Sequence, residues 1–450
     1  MAASSDGAPR RPRVALVALG CRVSRADVDA VASALGDRVE LARDEEPADV
    51  VVVSGCTITG DADAAARRAI RRAARANPGA RIVAAGCYAE LRPEVLGALP
   101  GVAAVLGARE HAEVAGTVLR LAGLPAADPG SAAGASRGAG WGPPPLVLAR
   151  HTRPFLKIQD GCDARCSYCV VPLARGPARS LAFDEALGRL SLLGARHAEI
   201  VVAGVHLGAY GRDLSPRRTL ADLIRAAVGG GLRARLRLSS LEPLEVPLDL
   251  LDDPAVAPAL CPHLHLPLQS GSDRILAAMR RPYRADGYRR AALEGAARLP
   301  GLCLGADVVT GFPGETDDDH RATLSLIEAL PLAYLHVFRF SPRPGTEAAA
   351  LPSAVPGAVA RARAAELVAL SERRWRAFLD GLLGKELEVV VERVEGGRAR
   401  GTAREYATVR WRADPAAGDV RGALARVRVT GHDGDACEGV RAGRPTPHAG

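Results

Sequence analysis

The first part of the chain, residues 14 to about 122, alternates short apolar runs with longer stretches whose apolar residues recur at helical spacing. Short continuous apolar runs are typical of strands buried on both faces of a parallel sheet. The predicted strands are Val14–Leu19, Asp49–Val53 and Arg81–Ala85, and the predicted helices are Ala26–Leu35 and Asp63–Arg75. This alternation predicts an open parallel α/β sheet.

The same rhythm returns from residue 153 to about residue 342. The predicted strands there are Phe155–Gln159, Glu199–Ala203, Arg235–Ser239, His263–Leu268, Leu302–Val309 and Tyr334–Phe340. Helices are predicted between them, among others over Phe183–Leu193, Leu220–Val228 and Asp318–Leu330. Six parallel strands predict a partial (β/α)6 barrel, which carries its functional site at the carboxyl ends of the strands.

Two further segments have different patterns. Residues 123–149 are dominated by Ala, Gly, Pro and Ser, which is typical of a linker. Residues 357–380 predict a basic helix, and beyond Gly384 the runs 387–392, 407–412 and 424–429 alternate apolar and charged residues between glycine turns. These runs predict a small C-terminal β-barrel with an arginine-bearing face, a common arrangement in RNA-binding domains.

The chain of 450 residues is long enough for two or three domains, each with its own core. No apolar run is long enough to span a membrane, so no membrane association is expected. Arg10–Arg13 and the apolar run that ends before Cys21 resemble a lipoprotein signal, but an apolar stretch of six residues is shorter than a secretory signal requires. An odd count of nine cysteines without such a signal favours thiols or metal ligands in a reducing compartment, and therefore a cytoplasmic protein.

The formal net charge of +8 is carried almost wholly by arginine, because Lys157 and Lys385 are the only lysines. A basic chain favours nucleic acid as a partner. A chain rich in Ala, Gly, Arg and Pro also uses arginine for its ordinary surface. Charge alone leaves both interpretations open.

Three cysteines, Cys162, Cys166 and Cys169, follow the first strand of the second segment with the spacing Cys-x3-Cys-x2-Cys. Thiolates are the usual ligands of iron–sulfur clusters, and three of them leave one iron of a cubane 4Fe–4S cluster open to bind and reduce a small molecule. The same spacing also follows one face of a helix, and cysteine is often buried. Gly161 before the run and Pro172 after it favour a loop, and therefore the cluster.

Three more cysteines, each preceded by glycine, follow the three strands of the first segment. They are Cys21, Cys56 and Cys87. Ligand sites in open α/β sheets lie outside the carboxyl ends of the strands, so these thiols are expected to converge and to hold a second cluster. The alternative is three unrelated buried cysteines.

These motifs together resemble the radical S-adenosylmethionine (SAM) methylthiotransferases, and within that family the bacterial tRNA N6-threonylcarbamoyladenosine methylthiotransferases. The runs that carry the resemblance are Leu19-Gly20-Cys21-Arg22-Val23, Gly55-Cys56-Thr57-Ile58-Thr59, Gly86-Cys87-Tyr88-Ala89, Phe155-Leu156-Lys157-Ile158-Gln159-Asp160-Gly161-Cys162, Gly204-Val205-His206-Leu207-Gly208-Ala209-Tyr210-Gly211-Arg212-Asp213, Leu238-Ser239-Ser240-Leu241-Glu242-Pro243, His265-Leu266-Pro267-Leu268-Gln269-Ser270-Gly271 and Gly311-Phe312-Pro313-Gly314-Glu315-Thr316. The resemblance implies an N-terminal cysteine-bearing domain over residues 12–122, a linker over 123–149, a radical SAM core over 150–380 and a TRAM-like RNA-binding β domain over 381–441. The chain departs from the family pattern at Ser24, where asparagine is usual, and at Ser54-Gly55, where Asn-Thr is usual.

The resemblance also implies a reaction. Cys162, Cys166 and Cys169 hold the 4Fe–4S cluster that cleaves SAM to a 5′-deoxyadenosyl radical, which abstracts hydrogen from C2 of the modified adenosine at position 37, beside the tRNA anticodon. The other three cysteines hold an auxiliary 4Fe–4S cluster that carries the inserted sulfur, and a second SAM supplies the methyl group. An electron donor of unknown identity is required. The protein orients and shields these cofactors.

Other polar and glycine positions follow barrel strands and are predicted to line the SAM pocket, although glycines also make turns and polar residues also cap strand ends. They are Tyr168, Gly204, His206, Ser240, Gln269, Ser270, Gly311 and Glu315. His263 and His265 share one face of a strand, and two histidines are too few for a zinc site, so polar barrel lining is the better interpretation.

Two kinds of rival remain. One keeps the chemistry and changes the substrate to isopentenyladenosine in tRNA or to an aspartate of a ribosomal protein. The other is a non-enzymatic iron–sulfur protein that binds RNA or senses redox state, and such a protein would not need the SAM-contacting motifs downstream of Cys169.

Overall fold

The computed structural model describes residues 10–42, 46–125, 141–143 and 151–442, which form two compact units. The first unit is Met1–Leu148 with Leu173–Gly176, and the second is Ala149–Pro172 with Pro177–Gly450. Most of the linker predicted over 123–149 lies outside the described residues. No helix in the described part of the chain is long and apolar enough to cross a membrane.

The first unit contains a five-stranded parallel sheet, as the alternating pattern predicts. Its strands are β1 (Arg13–Ala18), β2 (Glu40–Leu41), β3 (Val50–Gly55), β4 (Arg81–Gly86) and β5 (Val102–Gly107). Their order in the sheet is β2-β1-β3-β4-β5, and all four pairings are parallel. The two edge strands, β2 and β5, are not evident in the sequence, because β2 has only two residues and β5 is only half-buried.

Helices cover both faces of this sheet. They are α1 (Arg22–Leu35), α2 (Gly60–Ala76), α3 (Cys87–Leu91), α4 (Pro93–Gly97) and α5 (Val114–Leu121). On one face Val31 and Leu35 of α1 pack with α5, and on the other Ile70 of α2 packs with Tyr88 of α3. Parallel sheets are stable when both faces are covered in this way.

The second unit begins with the predicted partial barrel. Its strands are β6 (Phe155–Asp160), β7 (Arg179–Ser180), β8 (Glu199–Gly204), β9 (Arg235–Leu238), β10 (His263–His265), β11 (Cys303–Thr310) and β12 (Leu332–Arg339). They form the sheets β7-β6-β8-β9 and β10-β11-β12, and Leu236 and Leu260 form an isolated parallel bridge just before β10. The six predicted strands are confirmed as parallel strands, whereas β7 is a short antiparallel addition beside β6.

The helices of this region connect the strands or follow the last of them. They are α6 (Val171–Arg175), α7 (Phe183–Gly194), α8 (Leu220–Gly229), α9 (Leu248–Leu251), α10 (Asp273–Ala278), α11 (Ala285–Arg298), α12 (Asp317–Glu328) and α13 (Gly357–Asp380). The basic helix predicted over residues 357–380 is α13. Thr219 and Thr316 cap α8 and α12 by accepting a backbone N–H three residues later, which fixes where these helices begin.

A closed five-stranded barrel ends the described chain. Its strands are β13 (Glu386–Glu395), β14 (Arg398–Ala403), β15 (Thr408–Arg412), β16 (Leu424–His432) and β17 (Cys437–Arg441), in the order β13-β14-β15-β17-β16. Trp411 fills its interior and donates its indole N–H to Asp419 at 2.8 Å. Three of the five strands are predicted from the sequence; β14 and β17 are not, because a glycine interrupts the alternation in each.

The small barrel packs on the amino-terminal ends of the core strands within the same unit. Arg235 donates to the backbone carbonyl of Thr402 at 3.1 Å, and Arg237 donates to that of Ala403 at 3.0 Å. In return Arg404 donates to the carbonyl of Leu260 at 2.8 Å. These bonds leave the opposite, carboxyl-terminal ends of the strands for the site.

Candidate functional site

Cys21, Cys56 and Cys87 lie at the carboxyl ends of three neighbouring strands of the first unit. Cys56 and Cys87 directly follow β3 and β4, and Cys21 follows β1 after two residues. Because the strand order is β1-β3-β4, the three thiols share one edge of the sheet. All three are free cysteines, and they range from exposed Cys21 to buried Cys87. This placement is the one predicted for a three-ligand metal site.

Two glycines allow the backbone to pass close to these thiols. Gly86 has φ +90°, and a Cβ built there would lie 2.9 Å from the carbonyl oxygen of Gly55. A Cβ at Gly20 would lie 2.9 Å from Ser24 Oγ and 3.3 Å from the Cβ of Cys56. Real Cβ atoms essentially never come within 3.0 Å of another heavy atom, so Gly20 and Gly86 occupy positions where the chain packs too closely for a side chain.

Burial and neighbouring thiols raise the pKa values of Cys56 and Cys87. Burial raises the pKa of Cys56, and it raises the pKa of Cys87 to about 11 even though the Arg175 guanidinium lies nearby. The neighbouring Cys21 and Cys56 raise the pKa of Cys87 further, which places the three sulfurs within electrostatic reach of one another. Without a bound metal Cys56 and Cys87 therefore stay protonated near neutral pH, and ligation to a metal would release their protons.

Arg175 is the most important residue of this site that sequence reasoning missed. It belongs to the first unit through the segment Leu173–Gly176. Its Nε lies 3.2 Å from Cys87 Sγ, and its Nη2 lies 2.9 Å from an oxygen of Asp27 on α1. All three side chains are buried. An arginine six residues after the last cysteine of another motif carries no sequence signal for this contact.

The departures from the family pattern leave polar groups beside the same cysteines. Ser24 Oγ lies 3.9 Å from Cys21 Sγ, and Ser54 is the buried penultimate residue of β3. The serines therefore replace the usual side chains by smaller polar ones, and the cysteine positions are kept.

In the second unit, Cys162, Cys166 and Cys169 lie on a loop that follows β6. Residues 161–170 contain a turn and no helix, so the alternative of one helical face is wrong. The loop begins at Gly161, which has φ +69° and donates its N–H to Asp160. Asp160 also forms an ion pair with Lys157, whose Nζ lies 2.9 Å from Asp160 Oδ2. A buried ion pair thus fixes the point at which the cysteine loop leaves the strand.

The environment of these cysteines parallels that of the first set. Arg281 Nη1 lies 3.2 Å from Cys166 Sγ, and the same guanidinium is paired with Glu242. Burial raises the pKa of Cys166 and raises the pKa of Cys169 to about 12. Sequence reasoning also missed Arg281, which lies 115 residues from its cysteine.

His206, predicted to contact SAM, lies beside the cysteine loop. Its Nδ1 is 3.7 Å from Cys162 Sγ, and its Nε2 is 2.8 Å from Glu245. Burial alone would lower the pKa of His206, but its hydrogen bonds to Cys162 and Glu245 raise it to about 10. Glu245 was not predicted from the sequence.

The other predicted SAM contacts all follow β6 or later core strands, and several are engaged within the chain. Gly311 donates its N–H to Glu315 at 2.7 Å, and Glu315 pairs with Arg363 of α13 at 2.7 Å. Ser270 Oγ accepts from the backbone of Ser272. The remaining positions are Gly204 at the end of β8, Ser240 just after β9, Gln269 with φ +64° after β10, and Tyr168 packed with Ile275 and Phe312. Their contacts with SAM stay a prediction.

A polar network occupies the core beside β10, β11 and β12. His265 Nε2 and His336 Nδ1 lie 2.9 Å and 3.2 Å from one oxygen of Asp307. Tyr334 Oη lies 2.9 Å from His263 and 3.1 Å from His265. The two histidines on β10 therefore point to the same interior, in agreement with their interpretation as polar lining.

Comparisons with known proteins agree with this arrangement. The model of an uncharacterized protein family, UPF0004, matches residues 13–107, and that of the radical SAM superfamily matches residues 156–327. The first match covers the sheet with Cys21, Cys56 and Cys87, and the second covers the loop with the other set. The superfamily is defined by SAM and a 4Fe–4S cluster.

Several curated relatives match most of the chain. The threonylcarbamoyladenosine tRNA methylthiotransferase MtaB of Aquifex aeolicus is 32% identical, over 84% of this chain and 92% of that protein. The tRNA-2-methylthio-N(6)-dimethylallyladenosine synthase of Erythrobacter litoralis is 33% identical, over 83% of this chain and 85% of that protein. The ribosomal protein uS12 methylthiotransferase RimO of Roseiflexus castenholzii is 32% identical, over 88% of both chains.

A solved structure shares the fold at low identity. The radical S-adenosylmethionine methyltransferase TsrM of Kitasatospora setae superposes with a TM-score of 0.53 and 17% identity, over 76% of this chain and 77% of that one. The relatives, in contrast, share a third of their residues with this chain over nearly their whole length, and their names state one chemistry on different substrates. The chain therefore belongs to the radical SAM methylthiotransferases.

Proposed function

We propose that this protein adds a methylthio group to C2 of N6-threonylcarbamoyladenosine at position 37, in the anticodon region of tRNA. The observation that carries the proposal is the presence of two separate three-cysteine sets at strand ends, Cys21, Cys56 and Cys87 in one unit and Cys162, Cys166 and Cys169 in the other. A radical SAM enzyme that only methylates has no role for the first set. The Aquifex aeolicus relative, named for threonylcarbamoyladenosine, supports the choice of substrate.

The residues fit two 4Fe–4S clusters. Each set offers three free thiols, and the thiols of each set follow the carboxyl ends of parallel strands. When bound, the clusters and SAM supply reductive SAM cleavage, the transferred sulfur and the methyl group. Cys162, Cys166 and Cys169 would hold the SAM-cleaving cluster, and Cys21, Cys56 and Cys87 the auxiliary one. The physiological electron donor is a further, unidentified partner.

The surface of the small barrel supports RNA as the substrate. On the outward face of β14 and β15, Arg398 lies opposite Arg412, and Arg400 lies opposite Arg410. Like charges directly opposite one another destabilise a sheet. Arg398 and Arg410 are compensated by Glu438 and by Asp433.

Arg400 and Arg412 are different, because both are exposed and neither has an acidic partner among the described residues. Two uncompensated arginines within a patch of four are suited to a polyanion such as the tRNA backbone. We refer to Arg398, Arg400, Arg410 and Arg412 as the arginine face. A tRNA substrate also fits a cytoplasmic location.

Sequence identity to the curated relatives supports a second substrate equally well. The Erythrobacter litoralis relative, named for dimethylallyladenosine, is as similar to this chain as the relatives named for threonylcarbamoyladenosine. The same holds for the relative named for ribosomal protein uS12.

The test combines metal analysis with product analysis. Anaerobic reconstitution of the full chain should give about eight irons, four per cubane. The loaded enzyme, SAM and dithionite are then offered tRNA bearing threonylcarbamoyladenosine, tRNA bearing isopentenyladenosine, or ribosomal protein uS12, and the products are read by mass spectrometry. Methylthiolation of the first substrate alone is expected. About four irons would refute the auxiliary cluster, and modification of another substrate alone would refute the substrate assignment.

A further inference from the structure

Each cysteine set has a buried arginine beside one of its sulfurs, and each of these arginines is paired with a carboxylate. In the first unit Arg175 lies 3.2 Å from Cys87 Sγ and 2.9 Å from Asp27. In the second unit Arg281 lies 3.2 Å from Cys166 Sγ and is paired with Glu242. The side chains of Arg175 and Arg281 are 3% and 4% exposed.

Both guanidinium groups are held in place by contacts other than the one to the cysteine sulfur. Arg281 donates from Nε to Tyr283 Oη at 3.1 Å, and its Cζ lies 4.9 Å from the centre of the Tyr283 ring. Tyr283 in turn donates to the carbonyl of Pro267 at 2.6 Å. Asp27 lies on α1, the helix that begins directly after Cys21. Each arginine is therefore held in place by its own unit, so its position does not depend on the thiol.

A fixed arginine beside a cluster ligand has a defined electrostatic effect. Arginine stays charged at every accessible pH and presents several N–H donors. Reduction adds one negative charge to a cluster and its thiolates. Hydrogen bonds to the sulfurs and the net charge nearby are among the factors that set the reduction potential of iron–sulfur clusters.

We propose that Arg175 and Arg281 are matched positioning residues, each of which holds one cluster-ligating sulfur and raises the reduction potential of its own cluster. The inference rests on the proposed function, since it requires a cluster on each set. Asp27 and Glu242 orient the two guanidinium groups and offset part of their charge. The protein thereby adjusts two clusters independently through two local arginine–carboxylate pairs.

The structure predicts effects of opposite sign within each pair. Arg175→Met removes the cation and should lower the potential of the auxiliary cluster, whereas Asp27→Asn removes the offsetting anion and should raise it. Arg281→Met and Glu242→Gln should do the same to the other cluster. The expected shift is at least tenfold in the reduction equilibrium, which for a one-electron couple is about 59 mV. A merely structural role would not give opposite signs.

The experiment is an anaerobic redox titration of the full reconstituted chain, followed by electron paramagnetic resonance. The two components are assigned by comparing the wild type with Cys21→Ala/Cys56→Ala/Cys87→Ala and with Cys162→Ala/Cys166→Ala/Cys169→Ala. Each arginine variant serves as the control for the other, because it should move one component and leave the second in place. Arg13→Met, at the opposite end of β1 from Cys21 and paired with Glu46, is the control for loss of a cation from the first unit.

The outcomes separate this inference from the proposed function. An iron content of about four per wild-type chain would contradict the proposed function. Wild type with eight irons, and arginine variants whose potentials do not move, would overturn the inference alone, as would shifts of the same sign for Arg175→Met and Asp27→Asn. Where an Arg→Met variant fails to take up its cluster, the sign of the shift in the Asp27 or Glu242 variant decides.

Discussion

Arg237 binds Glu199 through both oxygens of the carboxylate, with Nε 2.7 Å from Oε1 and Nη2 3.1 Å from Oε2. Arg235 adds a bond of 2.8 Å and Arg153 one of 3.2 Å to the same carboxylate. Glu199 is fully buried at the start of β8. Other N–H groups of Arg235 and Arg237 reach the carbonyls of the small barrel, so Glu199 is the shared anion of three arginines at the joint between core and barrel.

Replacing this carboxylate should strongly destabilise the second unit. Glu199→Gln leaves three arginines without their shared anion, and breaking a buried ion pair from one side costs about 3–5 kcal/mol. Urea unfolding followed by circular dichroism measures the change in the free energy of unfolding. The control is Glu347→Gln, which breaks an exposed pair with Arg280 and should cost about 0–1 kcal/mol. Equal effects of the two variants would contradict the assignment.

The same cluster predicts a dependence on pH. Burial alone would raise the pKa of Glu199, but Arg237 and Arg235 hold it well below its usual value of 4.5. A group with a lowered pKa in the folded state contributes stability above its unfolded pKa, and this contribution is lost as the pH falls. The difference in unfolding free energy between wild type and Glu199→Gln should therefore be constant near neutrality and shrink below about pH 4.5. A difference that grows on acidification would contradict the prediction.

The crowded glycine at the end of β4 gives a test of the first cysteine site. Gly86→Ala adds a Cβ 2.9 Å from the carbonyl oxygen of Gly55, at a residue with φ +90°. We expect a loss of stability on the order of 1–3 kcal/mol and a lower iron content, because the backbone must shift beside Cys87. Gly79→Ala is the matched control, since Gly79 has φ +88° and open space around it. Its iron content should equal that of wild type, and equal iron loss in both variants would show that crowding at Gly86 is not the cause.

Variants of the two cysteine sets should differ in the reaction products that they form. Cys162→Ala, Cys166→Ala or Cys169→Ala should abolish both 5′-deoxyadenosine and methylthiolated nucleoside, because SAM cleavage is lost. Cys21→Ala, Cys56→Ala or Cys87→Ala should still cleave SAM and give no methylthio product. One dithionite assay, read by mass spectrometry, measures both. Methylthiolated nucleoside at wild-type levels from the second group would mean that those cysteines are only structural.

The arginine face should contribute to tRNA affinity in a salt-dependent way. Arg400→Gln and Arg412→Gln should each weaken binding and reduce the slope of log K against log salt by about one. Arg428→Gln removes an equal charge from β16, where Arg428 is paired with Glu386 at 2.6 Å, and should change the slope less. Filter binding or fluorescence anisotropy across a salt series provides the measurement. Identical slopes for all three variants would place the RNA contact elsewhere.

The sequence by itself determined the strands and helices that carry the cysteines. The Gly-Cys pairs mark where β1, β3 and β4 end, and Gly161 marks where β6 gives way to the cysteine loop, because glycine and apolar run length are local signals. Parallel strands then place Cys21, Cys56 and Cys87 at one edge without further information. The basic helix Gly357–Asp380 followed from its composition in the same way.

Only the tertiary structure decided which side chains surround the sulfurs and how the small barrel is attached. Arg175 meets Cys87 across 88 residues of sequence and Arg281 meets Cys166 across 115, and no local pattern encodes contacts of that range. Nor does any local pattern encode the bonds from Arg235 and Arg237 to the carbonyls of Thr402 and Ala403, which attach the small barrel to the core. The physical reason is the same in both cases. In the sequence, an arginine on a strand or loop cannot be told from an ordinary surface residue. Only folding brings a cysteine sulfur, a carboxylate or a carbonyl within hydrogen-bonding distance of its N–H groups.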